Sequence, residues 1–555
     1  MDRKTLTGFI LIGAILLLWP SYLELVSPSE KTQEELVVPN QSLVDEYAQP
    51  DKPQASKPKT VTNSAPTSSV EVDAGLFVTT INNSNGGSFA SYNLNDHLKE
   101  GESFLNLIDI NNSNNLTVSF IDQSGTVILL DDNWNLYSGA STKLNKENPS
   151  TTLSYYTFYK GKRIEKHITL NFNSYRIDVT VDLQNIKVES LDGKYTLNWD
   201  GGLPESEGKQ DAMFMEGLVG QAGNIESFRV GSAGFFGSSD TSKIEKETKQ
   251  YVGQSDFVGY RTKYFGMFFV PQKTDVVEIT KYPAVNRAAV DVSVSQDINF
   301  DKNTLYLGPL DYGKVAGLNV GLEEKILGWQ WLSSVSWLVY STMMLLYSFI
   351  PNYGLVVVLF AVLIKLITYP LMAKQLRSSK KMQEISPELN NIKLKYKNNP
   401  ALQQQKIAAL FQENKINPLA GCLPLLIQMP VLMSVFMVFR NTIEFRGESF
   451  FLWISDLSSA DTLLFIAGVP LNILPFLMAA SMFYTMKLSS AGQPSGGDPA
   501  QEATQQMMKY MFPGMMFFLF YSFPSGLNLY YLCFNIMQIL QQRIINSEKT
   551  STLKK

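Results

Sequence analysis

Histidine and cysteine are nearly absent: two of each in 555 residues. That is too few for most familiar zinc sites built from these side chains. His97 and His167 stand in polar, strand-like surroundings and read as surface or hydrogen-bonded residues. Cys422 and Cys533 stand in apolar stretches and read as reduced packing residues, not a disulfide. No phosphate-binding glycine loop appears, and no nucleophilic triad or paired carboxylates rise above background. Nothing therefore points to covalent chemistry or a bound cofactor.

Charge is missing from five long stretches: Thr5–Leu23, Ile326–Ile364, Ile416–Phe439, Thr462–Met486 and Tyr510–Gln542. Each is long enough to cross a bilayer, which takes roughly 20 residues. The first has no small-x-small cleavage pattern after Leu18, where Trp19, Pro20 and Tyr22 follow, so it reads as an uncleaved signal anchor over 1–26. In the second, Glu323, Glu324 and Lys325 beside Ile326, Leu327, Trp329 and Trp331 suggest an interfacial amphipathic helix over 321–340. The true span then begins near Met343, with Pro351 and Gly354 as a bend or an outer end. Trp337, Tyr340 and Tyr347 suit an interfacial anchor.

Flanking charge sets the orientation. Arg3 and Lys4 place the N-terminus in the cytoplasm. The loop 371–417 carries nine basic and three acidic residues, and 440–461 carries two basic and four acidic ones. The first is expected inside and the second outside. The last stretch admits two readings. One is a single bent helix that leaves the basic tail 546–555 outside. The other is two spans, Gln505–Phe523 and Gly526–Arg543, turning at Pro524-Ser525-Gly526, which gives six crossings and an inside tail. The charge rule favours the second.

Between the first two spans the composition changes. Residues 27–70 are rich in Pro, Ser, Thr, Lys and Glu and read as a flexible linker. From 71 to 320 short Val-, Ile-, Phe-, Tyr- and Thr-rich runs alternate, as in Tyr175–Asp182, with Gly- and Asn-rich breaks between them. The expected fold class is a polytopic α-helical membrane protein carrying a large periplasmic antiparallel β-sandwich domain, with the transmembrane core over 341–545.

Within that core Lys365 is the most informative residue. It ends a long apolar run, and none of the uncharged blocks offers it an acidic partner. Snorkelling towards the interface is the ordinary explanation. The alternative is a wet, positively charged groove open to the cytoplasm, because an unpaired ammonium in a bundle is costly without water. Gln428, Ser434, Ser525, Asn528 and Asn535 are candidates for its polar lining. The loop 371–417 reads as a helical hairpin, with Leu389, Ile392 and Tyr396 on one arm and Leu402, Leu410 and Phe411 on the other. Asn399 and Pro400 fit an N-cap and first helical position between them. Its basic surface (Lys374, Arg377, Lys380, Lys381, Lys393, Lys395, Lys397) suits anionic lipid or ribosomal RNA. Methionines concentrated between Met429 and Met516 suit an adaptable apolar surface. On residues alone, a small-molecule transporter and a structural scaffold remain open.

The series Ile364-Lys365-Leu366, Tyr369-Pro370-Leu371, Asn417–Pro424, Gln428-Met429-Pro430, Phe451–Ile454, Asp456-Leu457-Ser458, Phe523–Leu527, Tyr530, Asn535 and Gln541-Gln542 resembles the bacterial YidC insertases, relatives of the mitochondrial Oxa and chloroplast Albino proteins. Tyr306–Pro309 and Tyr264-Phe265 weakly match the end of that family's periplasmic domain. The resemblance implies a periplasmic β-supersandwich, six transmembrane helices and a cytoplasm-facing hydrophilic groove in the inner membrane. Clients would be nascent membrane proteins, received from ribosomes and handled alone or beside the Sec translocon, with no cofactor, DNA or small-molecule substrate. Tyr530 and Tyr531 match the region that meets client helices. The family usually has arginine where this chain has Lys365, so the charge is kept but the forked hydrogen bonding is lost. Many members carry threonine where this chain has Ala361.

Overall fold

Alternating side chains build the first of two structural units, up to Glu323. In the strand Arg176–Asp182 every second residue (Ile177, Val179, Val181) is buried, as a half-buried strand requires. The computed structural model describes residues 59–60, 65–97, 104–108, 114–208, 211, 214–229, 233–234, 237–238, 247–282, 290–299, 302–328, 330–414, 423–466, 468–490 and 507–547. The expected signal anchor, nearly all of the linker and the tail beyond Ser547 lie outside these residues.

Three sheets carry this unit. A nine-stranded sheet runs in the order Asn224–Arg229, Glu216–Gln221, Phe257–Arg261, Phe265–Pro271, Lys302–Pro309, Arg176–Asp182, Lys162–Asn171, Ser150–Tyr159 and Asn135–Ser138. A seven-stranded sheet is centred on Lys194–Trp199 and Val290–Asp297, and a five-stranded one on Ser88–Leu94 and Phe77–Asn82. Pairing is antiparallel apart from two short parallel pairs at Lys59–Thr60 and Thr142–Lys143. The Tyr92 hydroxyl donates to Leu307 O at 2.9 Å, joining the five- and nine-stranded sheets. Gln296 Nε2 donates to Asn303 Oδ1 at 2.9 Å and so joins the seven- and nine-stranded ones. The linker ends earlier than expected. Lys59 and Thr60 pair with Ile128 and Leu129, and Ala65 N bonds to Asn133 O at 2.9 Å. Those ladder bonds order part of the polar segment without apolar periodicity.

Lys166 occupies an inward position between Ile164 and Ile168, on a strand that otherwise buries apolar residues there. Its amine donates to Asn85 O, Gly87 O and Leu116 O at 2.9, 3.2 and 2.5 Å. Asn85, Gly87 and Leu116 all have positive φ (56°, 100° and 57°). Three N–H groups thus satisfy two carbonyls of the tight turn at Asn85–Gly87 and one of the strand Asn115–Ile121. Burial pushes this amine down to about 7.

The second unit, from Glu324, is helical. Its helices are α1 (Ser333–Phe349), α2 (Tyr353–Glu384), α3 (Ser386–Lys395), α4 (Pro400–Glu413), α5 (Leu423–Asn441), α6 (Leu474–Ser490), α7 (Phe512–Phe520) and α8 (Ser525–Ser547). Helix α8 packs on α2 and α6, α1 on α2 and α5, and α7 on α6. Their core includes Val339, Met343, Val356, Phe360, Val435, Phe439, Leu457, Met478, Leu527 and Tyr530. Among the described residues one helical segment, Tyr353–Lys374, is long and apolar enough by itself to cross a membrane.

Four boundaries differ from expectation. The interfacial helix over 321–340 is broken: Glu323–Ile326 is one short turn, and Gly328 then takes φ 106° before a tight turn leads into α1. Left-handed backbone cannot continue a right-handed helix. The expected span start near Met343 falls inside α1, which stops at Ile350 ahead of Pro351; proline disfavours helical backbone in the residue before it. The hairpin expected over 371–417 is preceded by an uninterrupted continuation of α2 through Pro370 to Glu384. Its arms are α3 and α4, sealed by Ile385, Leu389, Ile392, Leu410 and Phe411. Asn399 caps α4, its side chain accepting from Leu402 N at 3.2 Å, with Pro400 at the first position. Finally, the uncharged stretch Thr462–Met486 is not one helix. Thr462–Ile466 and Val469–Asn472 form a β-hairpin, and α6 begins at Leu474. The stretch Tyr510–Gln542 divides between α7 and α8, with Tyr521–Pro524 between them.

Asp200 supplies a pH test of the β-rich unit. Burial and the neighbouring Asp291 charge raise its carboxyl to about 7. Between the ordinary carboxylate range and pH 7 the unfolded chain releases this proton first, so the wild type loses stability as pH rises. Urea unfolding of Asp200→Asn against wild type should give equal stabilities near pH 4. A variant advantage should then grow up to about pH 7 and level off above it.

Candidate functional site

The site is assembled by two helices that are remote in sequence. Lys365, on α2, is wholly buried. Its Nζ donates to Gln538 Oε1 of α8 at 2.5 Å and lies 3.4 Å from the centre of the Phe534 ring. One turn further along α8, Gln541 Nε2 donates to the Lys365 backbone oxygen at 3.4 Å. Positions 534, 538 and 541 share one helix face by the i, i+4, i+7 rule. The ammonium is therefore held by one neutral oxygen and one ring face, and among the described residues no carboxylate pairs with it. From the start of α8 to Gln538 is about 20 Å, and from the start of α2 to Lys365 about 18 Å.

The other expected groove residues fall at different levels. Asn535 Nδ2 donates to Ser481 Oγ at 3.1 Å, tying α8 to α6 beside the lysine group. Ser434 is buried in α5 with its hydroxyl unpartnered. Ser525 and Asn528 lie at the other end of α8 and hold a turn. Ser525 Oγ donates to Asp456 O at 2.7 Å, Ser525 N to Ser459 O at 2.6 Å and Gly526 N to Leu457 O at 3.0 Å. Asn528 Nδ2 donates to Phe520 O at 3.1 Å. Asp456 in turn accepts from Gly447 N and Ser458 N at 3.1 and 2.7 Å. A methyl group on Gly526 would meet the Phe439 ring at 3.0 Å and Leu457 O at 3.1 Å. Glycine is what lets the turn seat against α5. Tyr530 is buried among Phe360, Tyr531 and Phe534, while Tyr531 is half-buried against Phe520. The Gln428 side chain lies outside the described residues.

Sequence reasoning did not single out Gln538 or Ser481. The helical spacing of Phe534, Gln538 and Gln541 was available as a signal, but only the packing of α8 on α2 aims it at Lys365. On the α3–α4 hairpin Lys395 and Lys397 are exposed and Lys393 half-buried, whereas Lys374, Arg377 and Lys381, expected on the hairpin, are exposed on the continuation of α2; the Lys380 side chain lies outside the described residues. Among the described residues no cluster of three or more His, Cys, Asp or Glu side chains is disposed to hold a metal ion.

The family described as 60Kd inner membrane protein matches residues 345–552, and the one described as YidC periplasmic domain matches 69–338. A relative from Chlorobaculum parvum, named membrane protein insertase YidC, is 32% identical over 99% of this chain and 95% of its own. One of the same name from Prosthecochloris aestuarii is 32% identical over 98% of this chain and 95% of its own. The chain belongs to the YidC family of membrane protein insertases. It is thus a membrane protein with a periplasmic domain, and its YidC-type motifs acquire a physical reading. Asp456-Leu457-Ser458 and Pro524-Ser525-Gly526 are two halves of one clamp, and Trp453 Nε1 donates to Asp461 Oδ2 at 3.0 Å beside it. Among solved structures, a galactose mutarotase related enzyme from Lactobacillus acidophilus matches 43% of this chain and 97% of its own at 9% identity and TM-score 0.26. That likeness is too slight to bear on the argument.

Ser525→Ala separates the clamp from the lysine group. It removes the donor to the half-buried Asp456 carbonyl, a loss of about 1 kcal/mol. The thermal midpoint of the detergent-solubilised protein should fall, while the protein that remains folded keeps its activity.

Proposed function

We propose that this chain inserts and folds nascent membrane proteins in the bacterial inner membrane by hosting a short client span beside Lys365 and releasing it sideways into lipid. The observation that carries this reading is the wholly buried Lys365 ammonium held by Gln538 and Phe534. A neutral carboxamide is a weaker partner for an ammonium than a carboxylate would be. An acidic residue in the translocated flank of a client can therefore displace Gln538, while the client's apolar side passes to lipid. Burial of that apolar span, at roughly 25 cal/mol per Å², drives completion without nucleotide. Asn535, Ser481, Gln541 and Ser434 supply further polar contacts on this path, and Tyr530, Tyr531 and Phe534 an aromatic wall.

The topology that goes with this reading has six crossings: the N-terminal stretch, α2, α5, α6, α7 with the turn before it, and α8. The basic tail and the α3–α4 hairpin are then cytoplasmic, and the loop 440–461 with the Ser525 clamp is periplasmic. Exposed Trp331 and Trp337 suit α1 to the outer interface. The hairpin lysines suit anionic lipid headgroups and ribosomal RNA, and the Sec translocon fits as a second partner.

In proteoliposomes, Lys365→Leu should reduce protease-protected insertion of a short single-span client by about tenfold or more, equivalent to about 1.4 kcal/mol. Lys365→Arg, which keeps the charge, should retain most of it. Insertion by Lys365→Leu at the wild-type rate would rule out this role. For the hairpin, Lys395→Gln and Lys397→Gln should weaken binding to anionic vesicles by about 1 kcal/mol each at low salt.

A further inference from the structure

The β-hairpin between the clamp and α6 exposes apolar side chains on both of its faces. Phe465, Ile466 and Val469 are 70%, 58% and 60% exposed, and Leu463, Leu464 and Leu471 are exposed with them. Successive strand residues point to opposite sides. Beyond the register shift at Leu463, Phe465 therefore covers one face, and Leu464 and Ile466 the other. Acyl chains can cover both faces of such a ribbon at once.

The root of the hairpin is polar and fixed. Thr462 Oγ1 donates to Asn472 Oδ1 at 2.8 Å, and Asn472 Nδ2 to Tyr521 O at 2.6 Å. The Tyr521 hydroxyl bonds Pro470 O. Asp461 Oδ2 accepts from Ile473 N and Leu474 N at 2.9 and 2.6 Å, so the same carboxylate that holds Trp453 also caps the start of α6. The ribbon is thus tied to the ends of α6 and α7 next to it, and among the described residues its apolar side chains stay exposed.

Helix length supplies the second argument. The apolar part of α6 is Leu474–Leu488, about 22 Å of helix. A hydrocarbon core of roughly 30 Å is deeper than that. The sequence between Thr462 and Met486 is uncharged throughout, yet its first part is not helical. The missing apolar depth therefore falls where the hairpin stands, at the end of α6 tied to Asp461.

On the reading that these helices span a membrane, we infer that the Thr462–Asn472 hairpin is a lipid wedge immersed in the outer leaflet. Its two apolar faces lie against acyl chains, and its outer backbone edges, which no strand pairs, lie near the headgroup layer where water reaches them. The wedge completes the apolar height of the short α6 and so reduces its mismatch with the bilayer.

The test uses the full chain in proteoliposomes of phosphatidylethanolamine and phosphatidylglycerol, in a background with both cysteines replaced by alanine that retains insertion. Nitroxide labels are placed one at a time through Phe465→Cys and Val469→Cys. Phe518→Cys on α7 (78% exposed) and Val252→Cys in the β-rich unit (79% exposed) serve as references. Collisional relaxation by oxygen, which concentrates in lipid, is compared with that by a water-soluble nickel chelate. Labels at 465 and 469 should follow 518, with oxygen accessibility several-fold above that of the chelate. Chelate accessibility matching 252 would place the hairpin in water and overturn the inference. Low accessibility to both reagents would mean a protein surface covers it, and would overturn it equally. If the label at 518 also reports water, the membrane reading of α7 fails as well, which distinguishes that failure from failure of the wedge alone.

Discussion

The clamp between Asp456-Leu457-Ser458-Ser459 and Pro524-Ser525-Gly526 is the constraint on which the helical unit depends. It uses backbone hydrogen bonds and one serine hydroxyl to seat the start of α8 against the loop after α5. Ser525, Gly526 and Leu457 are buried, so their backbone groups have no water to fall back on and the turn adopts an arrangement that satisfies them within the protein. Once the start of α8 is fixed, helical geometry places Phe534, Gln538 and Gln541 about 14–24 Å along it. They then meet Lys365 of α2, while Asn535 meets Ser481 of α6. The placement of the charged group is thus set by a turn at the opposite end of the same helix.

Lys166 and Lys365, both wholly buried, are satisfied in different ways. Lys166 has three carbonyl acceptors for three N–H groups and ties a tight turn to a strand. Lys365 has one side-chain acceptor and an aromatic face. A fully satisfied ammonium is a structural tie. An under-coordinated one has capacity left for an incoming acceptor, and this difference makes Lys365 the functional candidate.

The hairpin Thr462–Asn472 applies the same constraint in reverse. Its polar root finds partners in Asn472, Tyr521 and Asp461, while its apolar side chains stay exposed among the described residues. What holds the outer surface together and what meets lipid are consecutive in the chain. An uncharged run can therefore contain both a ribbon and a helix.

Strand alternation, the uncharged stretches, the Asn399-Pro400 cap and the turn at Pro524-Ser525-Gly526 were legible because each is a local preference of backbone or side chain. So was Lys365, since a charge ending a long apolar run stands out without knowledge of its neighbours. The division of Thr462–Met486 into hairpin and helix was not legible, because absence of charge reports burial or lipid and not the secondary structure that satisfies the backbone. The continuation of α2 through Pro370 and the breaking of 321–340 at Gly328 also depend on contacts beyond the local sequence. Ser525 and Asn528 looked like groove lining, because polarity in an apolar run does not say which surface it faces. By itself the sequence determined the antiparallel β-rich domain, the helical region after it, the position of the charged residue and the family. Only the tertiary structure decided which polar groups meet, because Gln538 and Lys365 become neighbours through the packing of helices that no local preference encodes.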